Sequence, residues 1–156
     1  DVYKRQILNV QGDEPMINPL DIRNLNKLSK ENNFNISTLA FNVEKKEDYD
    51  NENIVKVITK DKLSYNSASE ALNFRRLTKG NSFSNIYHHF GIYLYKYSAL
   101  KKFVNFEKSK NETKERLEQL RAIDNNIKIN VILAKYFSSG IDTKKDLEDY
   151  IKSFKK

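Results

Sequence analysis

The sequence predicts an α/β fold. Short apolar runs rich in branched residues recur along its 156 residues, and segments with helically spaced apolar residues lie between them. No internal repeat, low-complexity tract or second-domain linker breaks that alternation. The length suits one domain with a core of useful size, expected over residues 7–156.

Residues 1–6 form a polar, charged lead-in and read as a foreign leader. Ile7, Leu8 and Val10 then predict a buried, central strand. A central strand seldom opens a domain, so the chain reads as a fragment of a larger unit. The strand ends in Gln11-Gly12-Asp13-Glu14-Pro15. There Gly12 permits a tight turn and Pro15 stops ladder pairing.

Asn18 before Pro19 predicts an N-cap and first helical residue. The helix runs to about Lys30 with Leu20, Ile22, Leu25 and Leu28 as its apolar positions, and Asn32-Asn33 ends it. Residues 36–41 read as a buried strand, 44–53 as an acidic connection, and 54–58 as another strand. A turn at Lys60-Asp61-Lys62 leads to a short strand over 63–67. Residues 69–84 read as a mobile loop with one helical turn near 71–75.

Residues 86–97 give the most legible strand. Alternation places Phe90, Ile92 and Leu94 on one face, with His88 at its margin. The opposite face carries His89, Gly91, Tyr93 and Tyr95, suited to a polar ligand or to packing under a helix. Ser98 is expected to cap a short helix through Val104. A second helix is predicted over 113–123 with Leu117, Leu120 and Ile123 buried. A strand follows over 127–134, then a final helix over 144–154 anchored by Leu147, Ile151 and Phe154. Thr143 and Asp146 form a variant capping box at its start.

Composition narrows the chemistry. The chain has no cysteine, which excludes disulfides and thiolate metal sites. No apolar run reaches a membrane span and no signal peptide opens the chain, so a cytoplasmic protein without membrane insertion is expected. A net charge of +7 suits either attraction of phosphates, nucleotides or acidic sugars, or lysines dispersed over solvated faces. No basic stripe interleaved with aromatics occurs, so no nucleic-acid partner is expected.

Asp13 and Glu14 stand where a strand stops, the usual ligand-binding end of strands in open α/β sheets. Such a carboxylate suits magnesium, which needs only one or two protein carboxylates when phosphate oxygens complete its shell. An acidic turn that keeps a loop solvated fits the same pattern. Asp142, between Gly140 and a helix, suits either a second metal carboxylate or a helix start favoured by the dipole. His88 and His89 are adjacent on a strand and point to opposite faces, which argues against a shared metal ion. Glu118-Gln119 suits either hydrogen bonds to a hydroxylated ligand or an ordinary helix surface.

Four segments together resemble one family. Asn9-Val10-Gln11-Gly12-Asp13-Glu14-Pro15 resembles a motif of the 3-deoxy-manno-octulosonate cytidylyltransferases, which make CMP-KDO for lipopolysaccharide. His89-Phe90-Gly91-Ile92-Tyr93-Leu94-Tyr95 is similar to the family's HxGxYxY strand, and Leu117-Glu118-Gln119-Leu120-Arg121 to its LEQLR helix. Gly140-Ile141-Asp142-Thr143 with Asp146-Leu147-Glu148 is similar to its GxDTxxDLE segment. Val55-Lys56-Val57 fits its middle strand.

The resemblance implies a Rossmann-like nucleotide-diphospho-sugar transferase fold with a mixed sheet, here lacking the N-terminal nucleotide-binding unit. It implies that Asp13 and Asp142 bind Mg2+ and act in catalysis, and that Gln11, His89, Tyr93, Glu118 and Gln119 line a pocket for an acidic eight-carbon sugar. The implied partner substrates are that sugar and CTP, and the complete enzyme would be a homodimer.

Two departures qualify the match. The family's basic, glycine-containing phosphate loop has no counterpart here. Where the family has Tyr-Phe-Ser-Arg and then Ile-Pro, this chain has Tyr65-Asn66-Ser67-Ala68, without the arginine or proline. The departures leave room for a related acid sugar, such as an 8-amino KDO analogue or a sialic acid, or for a sugar-binding module without catalysis.

Overall fold

The computed structural model describes residues 5–43, 45–77, 84–138, 140–141 and 143–153. Its organising strand is β5 (Ile86–Lys96). Along one edge of β5 runs β2 (Ile36–Asn42), antiparallel. The other edge is shared: β1 (Gln6–Asn9) pairs with Tyr93 to Lys96, and β3 (Lys56–Thr59) pairs with Ile86 to His88. β4 (Ala68–Arg75) joins β3 to β6 (Ile129–Leu133), and β6 runs parallel to β2. The sheet is therefore mixed, and a circuit of five strands closes through the β3–β5 pairing.

Both faces of this sheet are covered. α1 (Pro19–Glu31) lays Leu25 and Leu28 against Leu39, Phe90, Ile92, Leu94 and Ile132. The opposite face packs Tyr93, Tyr95, Val57, Phe74 and Val131 against α2 (Tyr97–Phe103) and α4 (Leu120–Asp124). The alternation expected along β5 is thus the alternation between two cores. α3 (Lys110–Glu115) precedes α4, and α5 (Lys144–Ser153) ends the described chain.

Several expected ends hold. Asn18 Oδ1 accepts from the Leu20 N–H at 2.9 Å, with Pro19 at the first helical position, and Asn32 and Asn33 close α1. Thr143 and Asp146 exchange reciprocal bonds at the start of α5.

Other expectations are corrected. Among the described residues β1 has a strand partner on one side only, and Ile7, Leu8 and Val10 are 36–43% exposed where burial was expected. Gly12 sits in the expected turn, but its φ is not left-handed and a Cβ added there would meet no atom within 4 Å, so the turn does not require glycine. No strand forms over 63–67, and residues 68–75 are a strand instead of a loop or helical turn. The reason is a register shift: Ile58 faces Asn73 and Thr59 faces Ala71, leaving Leu72 as an extra residue. Buried positions then fall at Ser69, Ala71 and Phe74, and the spacing of three hides the period of two.

The helix expected over 113–123 is broken in two. Arg116 adopts a left-handed conformation (φ 56°), ending α3 and leaving Glu118 and Gln119 in the link to α4. Ser98 does not cap α2, whose N-cap is Lys96. Leu147 and Ile151 are 44% and 47% exposed and do not anchor α5. Residues 1–4, Asp142 and Phe154 lie outside the described residues.

Candidate active site

The two partners on one edge of β5 leave a gap between them. β3 ends its pairing at His88 and β1 begins at Tyr93, so residues 89–92 have no ladder partner on that edge among the described residues, apart from a bond from His89 N–H to Val55 O at 2.9 Å. Here a cleft of about 510 Å³ opens. Gln11, Asp13, His89, Tyr93, Glu118 and Gln119 all line it, although they come from separate parts of the chain. Asp142 is outside the described residues, but Gly140 lines the cleft and Ile141 N–H donates to the Asp13 carbonyl at 2.8 Å.

The walls explain how these residues meet. After β6 the chain turns back over the sheet because Asp21, buried in the first turn of α1, accepts from Lys135 N–H (2.8 Å) and Tyr136 N–H (3.1 Å). Ser138 then donates to Glu14 Oε2 at 2.8 Å, which ties this segment to the Gln11–Pro15 turn. On the far wall, Glu112 accepts two bonds from the Arg121 guanidinium, at 2.7 and 2.5 Å. That clasp joins α3 to α4 and closes the link that carries Glu118 and Gln119. Arg121 also lies over the Phe103 ring, 5.1 Å from its centroid.

Burial sets the protonation of the inner residues. His89 is buried, and desolvation followed by the neighbouring His88 pulls its pKa down to about 3, so it is neutral at physiological pH. Tyr93 is pushed well above the ordinary phenol range by burial, then by Tyr95 and Glu118. Its hydroxyl is buried and has no hydrogen-bond partner among the described residues. Such a group is costly unless something satisfies it. Asp13, in contrast, is exposed and its carboxylate makes no hydrogen bond among the described residues, leaving a hard oxygen donor free on the cleft rim. That donor set fits magnesium, which takes one or two carboxylates; no cluster of three or more His, Cys, Asp or Glu occurs among the described residues.

Sequence reasoning missed several participants. Lys56 is fully buried, and its ammonium donates to the carbonyls of Asn51 (2.7 Å), Ile54 (2.8 Å) and Arg76, fastening one wall of the cleft. A lysine inside the apolar run Val55-Lys56-Val57 was the available signal. Arg76 and Arg116 add guanidinium groups to the lining, and nothing local in the sequence marks them.

A cleft of this composition, at strand ends of a mixed sheet, can be set beside known proteins. The family model for cytidylyltransferases matches residues 1–129. The chain belongs to this family. It is 45% identical over 147 residues to the 3-deoxy-manno-octulosonate cytidylyltransferase of Thermodesulfovibrio yellowstonii, covering 91% of this chain and 57% of that relative. The enzyme of the same name from Bartonella bacilliformis is 40% identical over 142 residues, covering 91% and 58%. The fold matches CMP:2-keto-3-deoxy-manno-octonic acid synthetase complexed with CTP, with a TM-score of 0.81 and 28% identity over 96% of this chain and 61% of that one. UTP-bound UGPase from Acinetobacter baumannii shares the fold alone, with a TM-score of 0.71 at 9% identity, over 98% of this chain and 52% of that one. The chain spans less than three-fifths of the length of these two curated relatives. No helix among its described residues is long and apolar enough to cross a membrane.

Proposed function

We propose that this chain carries the sugar-binding and metal-binding part of an enzyme that transfers CMP from CTP to 3-deoxy-manno-octulosonate. In that reaction the sugar's 2-hydroxyl oxygen bonds to the α-phosphorus, the bond from that phosphorus to the bridging oxygen breaks, and pyrophosphate leaves while the hydroxyl proton passes to solvent. The observation that carries the reading is the buried Tyr93 hydroxyl, unpartnered among the described residues in a cleft whose other polar groups, Gln11, His89, Glu118 and Gln119, suit a polyhydroxylated ligand.

Asp13 and Asp142 are the residues we assign to magnesium. Support comes from the free Asp13 carboxylate and from the bond between Ile141 and Asp13, which brings the residue preceding Asp142 to the rim. Magnesium bound there would offset charge on the α-phosphate. The phosphate-gripping unit for CTP is assigned to the part of the relatives' length that this chain does not span. The exposed apolar edge of β1 supports that assignment, since an open edge strand of this kind calls for cover. The complete enzyme is read as a cytoplasmic homodimer acting in lipopolysaccharide synthesis.

The test is pyrophosphate release from CTP with 3-deoxy-manno-octulosonate, its 8-amino analogue and a sialic acid, comparing residues 1–156 with a protein extended to the relatives' length. Release by the extended protein with 3-deoxy-manno-octulosonate, and none by residues 1–156, supports the reading. Sugar binding without any release by the extended protein would establish a binding module instead.

A further inference from the structure

The β2–β5 ladder is interrupted beside the cleft. Thr38 faces Tyr93 but the next residue, Leu39, faces Phe90, so Gly91 and Ile92 bulge out of the pairing. Thr38 is fully buried, and its hydroxyl fills the bulge. Its Oγ1 lies 2.6 Å from Ile92 O, 3.2 Å from Phe90 O and 2.9 Å from His89 Nε2. A hydroxyl has one proton and can accept as well as donate. The 2.6 Å contact to Ile92 O claims that proton, because a carbonyl can only accept and two oxygens that close repel without a hydrogen between them. The approach from His89 Nε2 then requires that nitrogen to carry the hydrogen. Neutral imidazole has one N–H, so Nδ1 is left as a bare acceptor. Among the described residues Nδ1 has no hydrogen-bond partner, whereas His89 lines the cleft. Burial keeps the ring neutral, so the distinction between its nitrogens persists at physiological pH.

The geometry points to Thr38 as a positioning residue that locks His89 in its Nε2–H form and turns an Nδ1 acceptor toward a hydroxyl group of the bound ligand. The identity of that ligand rests on the function proposed above; the lock itself does not. Thr38 is fully buried and does not line the cleft, so it acts through His89, and the bulge that it fills places Gly91 in the cleft lining.

The chain has two histidines, so a long-range 1H–15N spectrum of the ring nitrogens, with His88→Gln for assignment, reads the tautomer directly. The unaltered chain should show His89 with Nε2 protonated and Nδ1 bare. Thr38→Val keeps the shape and removes the hydroxyl, and should give a mixture of tautomers; Thr38→Ser should restore the single form. Titration with free 3-deoxy-manno-octulosonate should shift Nδ1 in the unaltered chain and in Thr38→Ser, and Thr38→Val should weaken that binding in proportion to the Nε2–H form it loses, about twofold for an even mixture.

A protonated Nδ1 in the unaltered chain would overturn the proposal even if Thr38→Val failed to fold. So would a folded Thr38→Val whose tautomer is unchanged. A lock that depends on Thr38 while the sugar leaves Nδ1 unmoved would sustain the positioning role and count against the sugar reading of the cleft.

Discussion

Gly91 lies directly beneath Gln11: a Cβ on Gly91 would come within 3.2 Å of Gln11 Cγ. Gln11 is exposed and flexible, so it can yield, but only by leaving its place over the cleft floor. Gly91→Ala should therefore leave stability unchanged or raise it by up to about 1 kcal/mol through the less flexible unfolded chain. Sugar affinity should fall by about tenfold as Gln11 is displaced. Thermal melts beside calorimetric titration with 3-deoxy-manno-octulosonate check both halves.

Tyr93→Phe isolates the unpartnered hydroxyl. Removing a buried group that lacks a partner costs the fold little and can stabilise it by about 1 kcal/mol. The same change should weaken sugar binding roughly tenfold, because the ligand loses its partner. A drop in stability with binding intact would show that the hydroxyl serves the fold alone.

The Glu112–Arg121 clasp should set acid sensitivity and the placement of Glu118 together. Hydrogen bonding to Arg121 holds the Glu112 carboxyl below its ordinary value of 4.5. A depressed carboxylate stabilises the fold above its unfolded pKa, and that contribution is lost as pH falls through the lower folded value. Both side chains are mostly buried, so Glu112→Gln should cost about 1–3 kcal/mol at neutral pH in urea unfolding and loosen sugar binding.

His89 works on the same side of neutrality by a different route. Its folded pKa is about 3 against an ordinary 6.5. Between those values the unfolded chain takes up a proton that the folded chain refuses, so stability falls as pH drops from 6.5 toward 3. Unfolding midpoints measured from about pH 7 to 4 should decline, and His89→Asn should reduce the part of that decline above pH 4.5 without abolishing it, because burial lowers the His88 pKa as well.

These dependencies show which parts of the site are legible in a sequence. The two faces of β5 are, because a strand buried on both sides still alternates and Tyr93 and Ile92 differ in chemistry. Gln11, Asp13, His89, Tyr93, Glu118 and Gln119 were legible through family motifs, not through periodicity. Leu72 and the bulge at Gly91 were not, since one or two extra residues in a ladder depend on the partner strand. Arg116 was unreadable for a related reason: a left-handed arginine ends a helix that local propensity would continue. Thr38 looked like any β-branched strand residue, and its role becomes visible only when the carbonyls of Phe90 and Ile92 surround it.

The metal assignment makes the sharpest demand on one residue. Asp13 is exposed and its carboxylate holds no other described group, so Asp13→Asn removes charge while leaving the fold's bonds in place. The melting temperature of the 156-residue chain should barely change. Its affinity for Mn2+, read by electron paramagnetic resonance as a substitute for magnesium, should fall. In the protein extended to the relatives' length, turnover should drop by at least about a hundredfold, the scale of losing one strong electrostatic contributor. Raised magnesium should recover part of that loss by restoring occupancy. A structural Asp13 predicts the opposite set: a lower melting temperature, near-normal turnover in the folded fraction, unchanged Mn2+ affinity and no recovery. The backbone bond from Ile141 to Asp13 uses the carbonyl, not the carboxylate, so the substitution leaves that rim contact intact and the comparison is clean.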